Sequence, residues 1–325
     1  AQGTTFTSPI GAVKEISRNT DEEGKFNGKF DGNGHIIYNM SINVDSSDVN
    51  TAAGLFGFIG TNGIVKNLSI FKSTLNANSQ FCGMIAGNNA GTINNCTSGT
   101  DVTSFKFMGD TINKNLNNTI NIKTENAKPI AAGGVCGFSS GTIVNCASAA
   151  EINSEAMYVG GLLGQTANGR VINSYSNSPV IKGDYNGNLI GWCISSQIFN
   201  VYSGSTEEGC SLIGGTDGQN HYCCTYGLTE NSGFTSSDMA NHGIEAYTRL
   251  NEDILNGTAE MEAEYHFVDI LNANVKSNII DLNGIKSWLQ SSDKNKGRPY
   301  IVSGSMRSER EMPVETLYSI YGYTE

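Results

Sequence analysis

The chain is 325 residues long, with 39 glycines, only five prolines, and charged side chains at 16% of positions. Its net charge of −11 disfavours electrostatic binding to nucleic acid or to an anionic membrane surface. No apolar run approaches the roughly 18 residues of a transmembrane helix, so no membrane span is predicted. This composition is typical of an all-β protein with glycine- and asparagine-rich turns rather than of a helical enzyme.

Residues 1–25 precede any repeated pattern and are predicted to supply an edge strand or a cap. Short strands are expected at residues 4–7 and 12–16. A cap is needed here because an uncovered sheet edge can pair with another chain.

One pattern then recurs: a glycine, two or three apolar residues, a second glycine, a polar turn, a β-branched residue and an asparagine. The asparagines stand at positions 39, 67, 95, 145, 173 and 200, at spacings of 28, 28, 50, 28 and 27 residues. A fixed period of this length is typical of a solenoid or a propeller. Because a propeller blade needs about 40–50 residues, the shorter period favours a solenoid of short strands.

A single unit of this length cannot bury its own apolar face, so neighbouring units are expected to stack as parallel strands about 4.8 Å apart. The repeated glycines then mark places where the backbone has a positive φ or packs closely. The repeated asparagine suits a corner, because it tolerates the left-handed conformation and its amide can bond nearby backbone. The predicted fold is therefore an all-β parallel β-helix.

Two tetrapeptides, Gly-Leu-Phe-Gly at 54–57 and Gly-Leu-Leu-Gly at 161–164, closely resemble the GLUG motif. Residues 26–37 also resemble the lead-in of GLUG-containing proteins, and the resemblance covers roughly residues 26–225. It implies a right-handed parallel β-helix on a secreted or surface-displayed bacterial protein. It implies no single activity, because these repeats occur in adhesin-like proteins and beside the protease domain of immunoglobulin A peptidases.

The 50-residue spacing places an insertion near residues 101–130, where asparagine, threonine and lysine are frequent. This segment is either an irregular turn or a loop or hairpin that projects from the β-helix, and the shortage of large apolar residues favours projection. Interruptions of a regular solenoid are where function tends to lie. A degenerate repeat follows at residues 211–214 and ends near residues 222–224.

The pattern ends after residue 229, which divides the chain into a β-helix of residues 1–229 and a C-terminal capping region of residues 230–325. This second region is predicted to be a small α+β unit. A helix should begin near residues 235–239, with a serine or threonine as N-cap, and run toward residues 247–251. Trp288 and residues 297–302 resemble the closing strands that often follow GLUG repeats.

The eight cysteines are predicted to be mostly free, buried thiols, since free cysteine is among the most buried residue types. Cys96 and Cys146 each follow the repeated asparagine. They are expected to stack on neighbouring turns, within disulfide distance, if the insertion is a loop. The adjacent Cys223 and Cys224 lack the C-x-x-C spacing of a metal site. No metal and no cofactor are predicted.

Hydrolysis of a glycan by paired carboxylates needs two carboxyl groups about 5–9.5 Å apart. The catalytic candidates are Asp31, Asp184 and Asp217, each beside a glycine, together with His221. Aspartate before glycine is also an ordinary turn former, so a structural role is the alternative. The H-E-x-x-H motif is absent, so the zinc peptidase activity linked to some GLUG proteins is not expected in this chain.

Aromatic side chains that depart from the repeat provide the remaining signal. Trp192 directly follows a repeat glycine, and the tyrosines nearby in the sequence are Tyr175, Tyr185, Tyr202, Tyr222 and Tyr226. We take Trp192, Tyr175, Tyr202 and Tyr222 as binding candidates. Rings exposed along one face of the β-helix would form a platform for sugars or a protein partner, whereas the alternative is packing at corners.

These features favour an adhesin-like, extracellular or cell-surface β-helix that binds a glycan or a host surface protein without catalysis. A β-helix glycoside hydrolase or polysaccharide lyase is the alternative, and a purely structural stalk is a third hypothesis. A stalk predicts a featureless lateral face and a binding module predicts an exposed aromatic groove. An enzyme predicts two close carboxylates in a cleft.

Overall fold

The computed structural model describes residues 5–12, 23–45, 52–100, 104–107, 110–113, 118–122, 129–178, 182–205, 210–217, 219–228, 248–260, 265–276, 282–292 and 294–301. Their regular structure is mostly short strands, which form three large parallel sheets. We call these the narrow sheet, the ladder sheet and the aromatic sheet. The prediction of an all-β parallel fold is confirmed.

The narrow sheet contains β1 (Thr5–Phe6), β4 (Ser41–Asp45), β8 (Thr74–Asn78), β14 (Thr119–Ile122) and β19 (Glu151–Ser154). The ladder sheet contains β2 (Lys29–Asp31), β3 (Ile36–Tyr38), β7 (Ile64–Phe71), β11 (Thr92–Ser98), β17 (Thr142–Val144), β18 (Ala147–Ser148), β22 (Arg170–Ile172), β23 (Tyr175–Ser176), β25 (Gln197–Ser203), β27 (His221–Gly227) and β28 (Thr248–Arg249). The aromatic sheet contains β5 (Ala52–Ala53), β6 (Phe56–Ile59), β9 (Phe81–Gly83), β10 (Ala86–Asn89), β15 (Ala131–Gly133), β16 (Cys136–Ser139), β20 (Tyr158–Gly160), β21 (Leu163–Ala167), β24 (Tyr185–Ile194) and β26 (Ser211–Asp217).

Up to β20, each turn of the chain visits the three sheets in the same order, whereas the two later turns pass from β23 to β24 and from β25 to β26 without a described strand in the narrow sheet. A representative turn starts in the aromatic sheet at β16, passes through β17 and β18 of the ladder sheet, and reaches β19 of the narrow sheet. It returns to the aromatic sheet at β20. These strands pair in parallel with their equivalents in the adjacent turn. Neighbouring turns are therefore stacked at the interstrand spacing of about 4.8 Å, as the repeat predicts.

Apolar side chains that point inward form columns through the stack. One column of the ladder sheet consists of Val65, Ile93, Ile143, Val171, Ile198 and Tyr222. Each of these side chains is at most 2% exposed. Full burial of one such side chain contributes about 1.5–3 kcal/mol, and every burial needs the turn above and below. The shared core therefore stabilises the stack, and no turn is stable alone.

The repeated glycines are required by close backbone packing and not by positive φ. One column of the aromatic sheet consists of Gly83, Gly133, Gly160 and Gly187. A Cβ atom at Gly160 would lie 2.1 Å from the carbonyl oxygen of Leu163 and 2.6 Å from the amide nitrogen of Gly191. No glycine of this column has a positive φ. Of the two explanations that the sequence offers, close packing is the correct one.

The repeated asparagines form a column at a corner of the ladder sheet. We call it the asparagine ladder; its positions are Asn67, Asn95, Asn145, Asn173, Asn200 and, on β27, Cys224. All six residues are left-handed, with φ between 48° and 57°. Side-chain amides donate along the ladder, from Asn173 to Asn145 at 2.8 Å and from Asn200 to Asn173 at 2.9 Å. The predicted corner role of the asparagine is confirmed.

Asn39 does not belong to the asparagine ladder. Tyr38 pairs with Phe71, so Asn39 lies level with Lys72 of the next turn. The first-turn neighbour of the ladder is instead the segment at Asp31, which pairs with Lys66. The prediction that position 39 starts the 28-residue series is therefore wrong, and the spacing of 28 between positions 39 and 67 does not reflect stacking.

The insertion contains a hairpin. Strands β12 (Ser104–Phe107) and β13 (Asp110–Asn113) pair antiparallel with each other and with none of the three large sheets. The hairpin interpretation is correct, but the predicted boundary at residue 130 is too late. Strand β14 already belongs to the narrow sheet, because it pairs with β8 and β19.

The described part of the C-terminal region contains helices α1 (Glu252–Asn256) and α2 (Phe267–Lys276) and a short 3-10 turn at Asn295–Gly297. Strands β29 (Trp288–Leu289) and β30 (Tyr300–Ile301) pair antiparallel, so the predicted closing strands are present. The helix predicted from residue 235 falls mainly outside the described residues. Its predicted end is wrong, since β28 extends the ladder sheet there. The strand predicted at residues 12–16 also lies largely outside the described residues, whereas that at 4–7 appears as β1.

This C-terminal region covers half of the outer face of the ladder sheet. One outward column of that sheet reads Asp31, Lys66, Asn94, Val144, Ile172, Phe199 and Cys223. The column is polar in the early turns and apolar in the later ones. Phe267, Leu271 and Trp288 pack against the apolar half in one buried cluster. The change from polar to apolar residues marks where the C-terminal region docks.

Candidate functional site on the aromatic sheet

The outer face of the aromatic sheet carries two neighbouring columns of side chains. The first column is Phe58, Asn88, Phe138, Gln165, Trp192 and Gly215. The second column is Ala52, Phe81, Ala131, Tyr158 and Tyr185. We call this surface the aromatic face. The members of both columns point outward because side chains alternate along a strand, and the residues on either side of each member point into the core.

Three rings in the later turns of the aromatic face contact one another, and we call them the tyrosine–tryptophan cluster. The ring centroid of Tyr158 lies 5.2 Å from that of Trp192 and 5.7 Å from that of Tyr185. Tyr185 and Trp192 meet edge to face at 5.1 Å. These distances fall within the range of favourable aromatic pairs. Tyr185 is 44% exposed, and the other two rings are half-buried, so the cluster presents ring surface to solvent.

Gly215 makes room for the indole of Trp192. A Cβ atom at Gly215 would lie 2.2 Å from an indole carbon of Trp192. The indole therefore lies directly over the backbone of the following turn and cannot be held there if that position carries a side chain. The position of the Trp192 ring thus depends on Gly215, a residue that is not itself part of the tyrosine–tryptophan cluster.

The edge of the cluster is polar. Gln165 pairs with Trp192 on the neighbouring strand and is half-buried. Asp184 precedes Tyr185 and is exposed. Its backbone nitrogen donates to the carbonyl oxygen of Ala156, and that of Tyr185 donates to Met157. Backbone bonds thus hold the start of β24 in place, with an amide and a carboxylate next to the rings. Rings with polar groups beside them suit a ligand that has both apolar and hydrogen-bonding surface.

The sequence candidates Trp192, Tyr175, Tyr202 and Tyr222 do not share one face. Trp192 belongs to the aromatic face. Tyr175 and Tyr202 lie on the outer face of the ladder sheet, where their rings stack at 5.1 Å with an angle of 2°. Tyr222 is 2% exposed in the central core, and its hydroxyl lies 2.9 Å from that of Thr216. The structure therefore separates these rings onto two sheets and the core.

Tyr202 is fully buried beneath the C-terminal region. Its ring lies 5.6 Å from Trp288 and 5.7 Å from Phe267. Its hydroxyl donates to the carbonyl oxygen of Pro299 and accepts from Asn295. The ring has no surface left on which a ligand could stack, so packing is the role that this geometry supports for Tyr202.

Asp31 is held in a structural network at the open end of the asparagine ladder. Its Oδ1 accepts from the side-chain amide of Asn67 and from the backbone nitrogen of Asn33, each at 2.9 Å. Its Oδ2 lies 3.1 Å from Nζ of Lys66. These interactions, the Asn67 hydrogen bond foremost, lower the pKa of Asp31 to about 2. A carboxyl group with this pKa is ionised at neutral pH and cannot serve there as a general acid.

The structure does not bring the candidate carboxylates together. Asp184 directly precedes the first residue of β24, whereas Asp217 pairs with the last residue of that strand, Ile194. Asp31 lies in the first turns of the ladder sheet, several strand spacings of about 4.8 Å away from Asp217. His221 opens β27 across the turn from Asp217 and is exposed, as Asp217 is. No two of the three aspartates are placed as a hydrolytic pair.

All eight cysteines are buried and none forms a disulfide bond, which confirms the prediction of buried thiols. Cys96 and Cys146 do occupy one column, because the residues on both sides of them pair. Burial raises the pKa of Cys146 and Cys193 to about 12 and also raises the pKa of Cys82 and Cys136. Thiolates are the nucleophilic form, so these thiols are unreactive at neutral pH.

Among the described residues, no group of three or more His, Cys, Asp or Glu side chains is arranged to hold a metal ion. In the same part of the chain, no helix has the length and apolar character needed to cross a bilayer.

Sequence reasoning did not single out Tyr158, Phe81 or Phe138, which complete the aromatic face. Phe138 and Trp192 directly follow equivalent repeat glycines, so the first column was visible in the sequence. Tyr158 and Phe81 occupy a second column whose alignment follows only from the strand register.

A comparison with protein-family models found no match, and no solved structure matches the chain. Halomucin of Haloquadratum walsbyi is 33% identical over 97 residues. That match covers 30% of this chain and 1% of Halomucin. The chain thus spans only a very small part of the length of this relative, and the similarity is partial.

Proposed function

We propose that this chain is a non-catalytic binding module of an extracellular or cell-surface protein and that its aromatic face binds a glycan. The observation that carries the proposal is the tyrosine–tryptophan cluster. It presents three contacting rings on the outer face of the aromatic sheet, with Tyr185 44% exposed. Aromatic rings offer large apolar area at low cost in side-chain entropy, and the apolar face of a sugar ring can stack on them.

The proposal includes a right-handed parallel β-helix of the GLUG type. Connections between parallel strands of one sheet are right-handed in nearly all proteins, and this general rule supports the right-handed sense of the proposed β-helix. Close packing supplies a physical reason for the motif glycines, because a Cβ atom at Gly164 would lie 2.5 Å from the backbone nitrogen of Ala132 in the neighbouring turn. The acidic, glycine-rich composition and the resemblance to GLUG proteins support the extracellular or surface location.

The glycoside hydrolase or polysaccharide lyase alternative is not favoured by any observation on the candidate residues. Asp184 and Asp217 lie at opposite ends of β24, and Asp31 is an ionised structural group. The stalk hypothesis predicts a lateral face without features, and the aromatic face argues against it. A host surface protein is the competing class of partner for the same surface.

The test is a glycan array probed with the intact protein and with two variants. Trp192→Ala removes the largest ring of the cluster, and Gln197→Ala changes an exposed residue on the ladder sheet as the matched control. We expect glycan binding that Trp192→Ala reduces about tenfold or more and that Gln197→Ala leaves unchanged. Turnover assays on the same glycans run in parallel. Binding that survives Trp192→Ala, or release of product from a bound glycan, would overturn the proposal.

A further inference from the structure

The aromatic face contains a second aromatic pair with the geometry of the first. Phe81 and Phe138 have centroids 5.3 Å apart and an interplanar angle of 44°. Tyr158 and Trp192 have centroids 5.2 Å apart and an angle of 34°. In each pair, a ring of the second column contacts a ring of the first column that belongs to the next turn.

The two pairs are related by a shift of two turns along the stack. Phe81 is followed in its column by Ala131 and then by Tyr158. Phe138 is followed by Gln165 and then by Trp192. Two turns correspond to about 9.6 Å. The face therefore repeats an aromatic pair at this interval and places a small residue and an amide between the pairs.

The charge on this surface selects the ligand further. Neither column of the aromatic face contains a charged residue, although the chain as a whole carries a net charge of −11. An acidic polysaccharide would meet no cation among these columns and would be repelled by the overall charge. An uncharged ligand with apolar ring faces and hydroxyl groups fits the alternation of aromatic and amide side chains.

We infer that the aromatic face binds a linear, uncharged, β-1,4-linked polysaccharide that lies parallel to the stacking axis; this rests on the proposed function. In such an extended glycan, successive sugars are flipped, so that every second sugar presents the same face. The two-sugar repeat is close to the two-turn spacing. One sugar stacks on the Phe81–Phe138 pair and the next but one on the Tyr158–Trp192 pair. The sugar between them lies beside the amide of Gln165, because Ala131 is fully buried and offers no surface to a ligand.

The experiment titrates the intact protein with cello-oligosaccharides and chito-oligosaccharides, from the disaccharide to the hexasaccharide. The trisaccharide is the shortest ligand that reaches both pairs. We expect an increase in affinity of about tenfold from disaccharide to trisaccharide, and smaller gains beyond it. A surface that holds only a terminal sugar predicts no such step.

Two variants test whether the pairs are equivalent subsites. Phe138→Gln and Trp192→Gln each place in the first column the residue type that Gln165 already carries there, so the backbone accommodates both changes. Each variant should abolish the step between disaccharide and trisaccharide while leaving disaccharide binding within about threefold. Gln197→Ala serves as the control, and thermal melting verifies that each variant is folded.

The outcomes separate the two proposals. Glycan binding without the step, or a step that depends on Trp192 but not on Phe138, overturns the two-subsite inference and leaves the proposed function standing. Preference for an acidic polysaccharide such as polygalacturonate also overturns the inference alone. Failure to bind any glycan, with or without capture of a protein partner, overturns both.

Discussion

The ladder sheet and the aromatic sheet both carry aromatic columns on their outer faces, yet the two columns meet different surroundings. On the ladder sheet, Tyr202 is fully buried, and its ring and hydroxyl contact residues of the C-terminal region. On the aromatic sheet, Tyr185 is 44% exposed and Trp192 is half-buried. The same side-chain type at the same kind of position thus has an internal partner in one case and faces solvent in the other.

The difference shows that an aromatic column by itself does not identify a binding surface. The two faces differ in whether the neighbouring polar groups form hydrogen bonds with another segment of the chain. On the ladder sheet, Oδ1 of Asn173 accepts from Nε1 of Trp288 at 2.6 Å, and its amide donates to the carbonyl oxygen of Lys286 at 2.9 Å. The C-terminal region of the same chain therefore covers that face and satisfies its polar groups. The aromatic face has no comparable covering segment among the described residues, which is why we assign the external ligand there.

The largest expected effect tests this contrast directly. Tyr202→Ala should lower the free energy of unfolding by about 3–5 kcal/mol, because it removes a buried ring and leaves a cavity. The matched change on the open face, Tyr158→Ala, should cost less than about 1.5 kcal/mol. Urea denaturation monitored by circular dichroism measures both. Equal losses for the two variants would contradict the assignment of one face as covered and the other as open.

The second effect separates the covered half of the asparagine ladder from its open half. Asn173→Gly keeps a residue that tolerates the left-handed φ but removes hydrogen bonds to Asn145, Asn200, Lys286 and Trp288. We expect a loss of about 2–4 kcal/mol, because buried partners are left unpaired.

The matched control for this change is Asn67→Gly. Asn67 hydrogen-bonds only to Asp31 and Asn95 among the described side chains, and it is half-buried. Asn67→Gly should lower the free energy of unfolding by about 1 kcal/mol. A cost at position 67 as large as that at position 173 would show that the ladder itself, and not the docking of the C-terminal region, determines the stability.

The period of the repeat was sufficient to predict the stack of parallel strands, because one physical requirement governs every turn. Each unit must bury the same inward residues, so the pattern recurs wherever the core recurs. Asn39 shows the limit of this reasoning. It has the right residue type and spacing, but the backbone register places it beside Lys72. A motif with one asparagine cannot distinguish two left-handed corners of the same turn.

The site was predicted only in part, for a reason that concerns distance along the chain. The sequence indicated an aromatic cluster around Trp192 and included Tyr202, which lies in the same turn but on the ladder sheet. What removes Tyr202 from the surface is Trp288 and Pro299, and the latter stands 97 residues away in the sequence. Periodicity within the repeats carries no information about such a contact. The polar-to-apolar change from Asn94 to Val144 was the available signal, but it becomes informative only when the register is known.

A smaller effect concerns the shape of the open face. Gly215→Ala should displace the indole of Trp192, since a Cβ atom there would lie 2.2 Å from the ring. The core is not affected, so the free energy of unfolding should change by less than about 1 kcal/mol. In a Trp288→Phe background, fluorescence reports Trp192 alone and should shift to longer wavelength as the indole becomes more exposed. An unchanged spectrum would show that the indole does not lie against Gly215.

The smallest effect concerns the exposed, polar half of the ladder sheet. The described residues of the C-terminal region do not cover this half, and the charged carboxylate of Asp31 interacts with the ladder there. Asp31 lies at the end of the asparagine ladder, and its pKa falls from 3.8 to about 2 through the hydrogen bond from Asn67, with contributions from Asn33 and Lys66. Because the pKa is lower in the folded state, this carboxylate stabilises the fold above about pH 3.8 and loses that effect as the pH falls through about 2.

Asp31→Asn keeps an oxygen that can accept from the amide of Asn67 but cannot be ionised. The melting temperature of the variant should therefore be slightly below that of the native chain at neutral pH, and the difference should vanish between about pH 4 and pH 2. Added salt should reduce the difference at neutral pH, because Asp31 and Lys66 are both exposed to solvent. A difference that is independent of pH would mean that the geometry of the turn, and not the charge, holds this end of the ladder. The two halves of the outer ladder face would then be stabilised in the same way, without an electrostatic contribution in either.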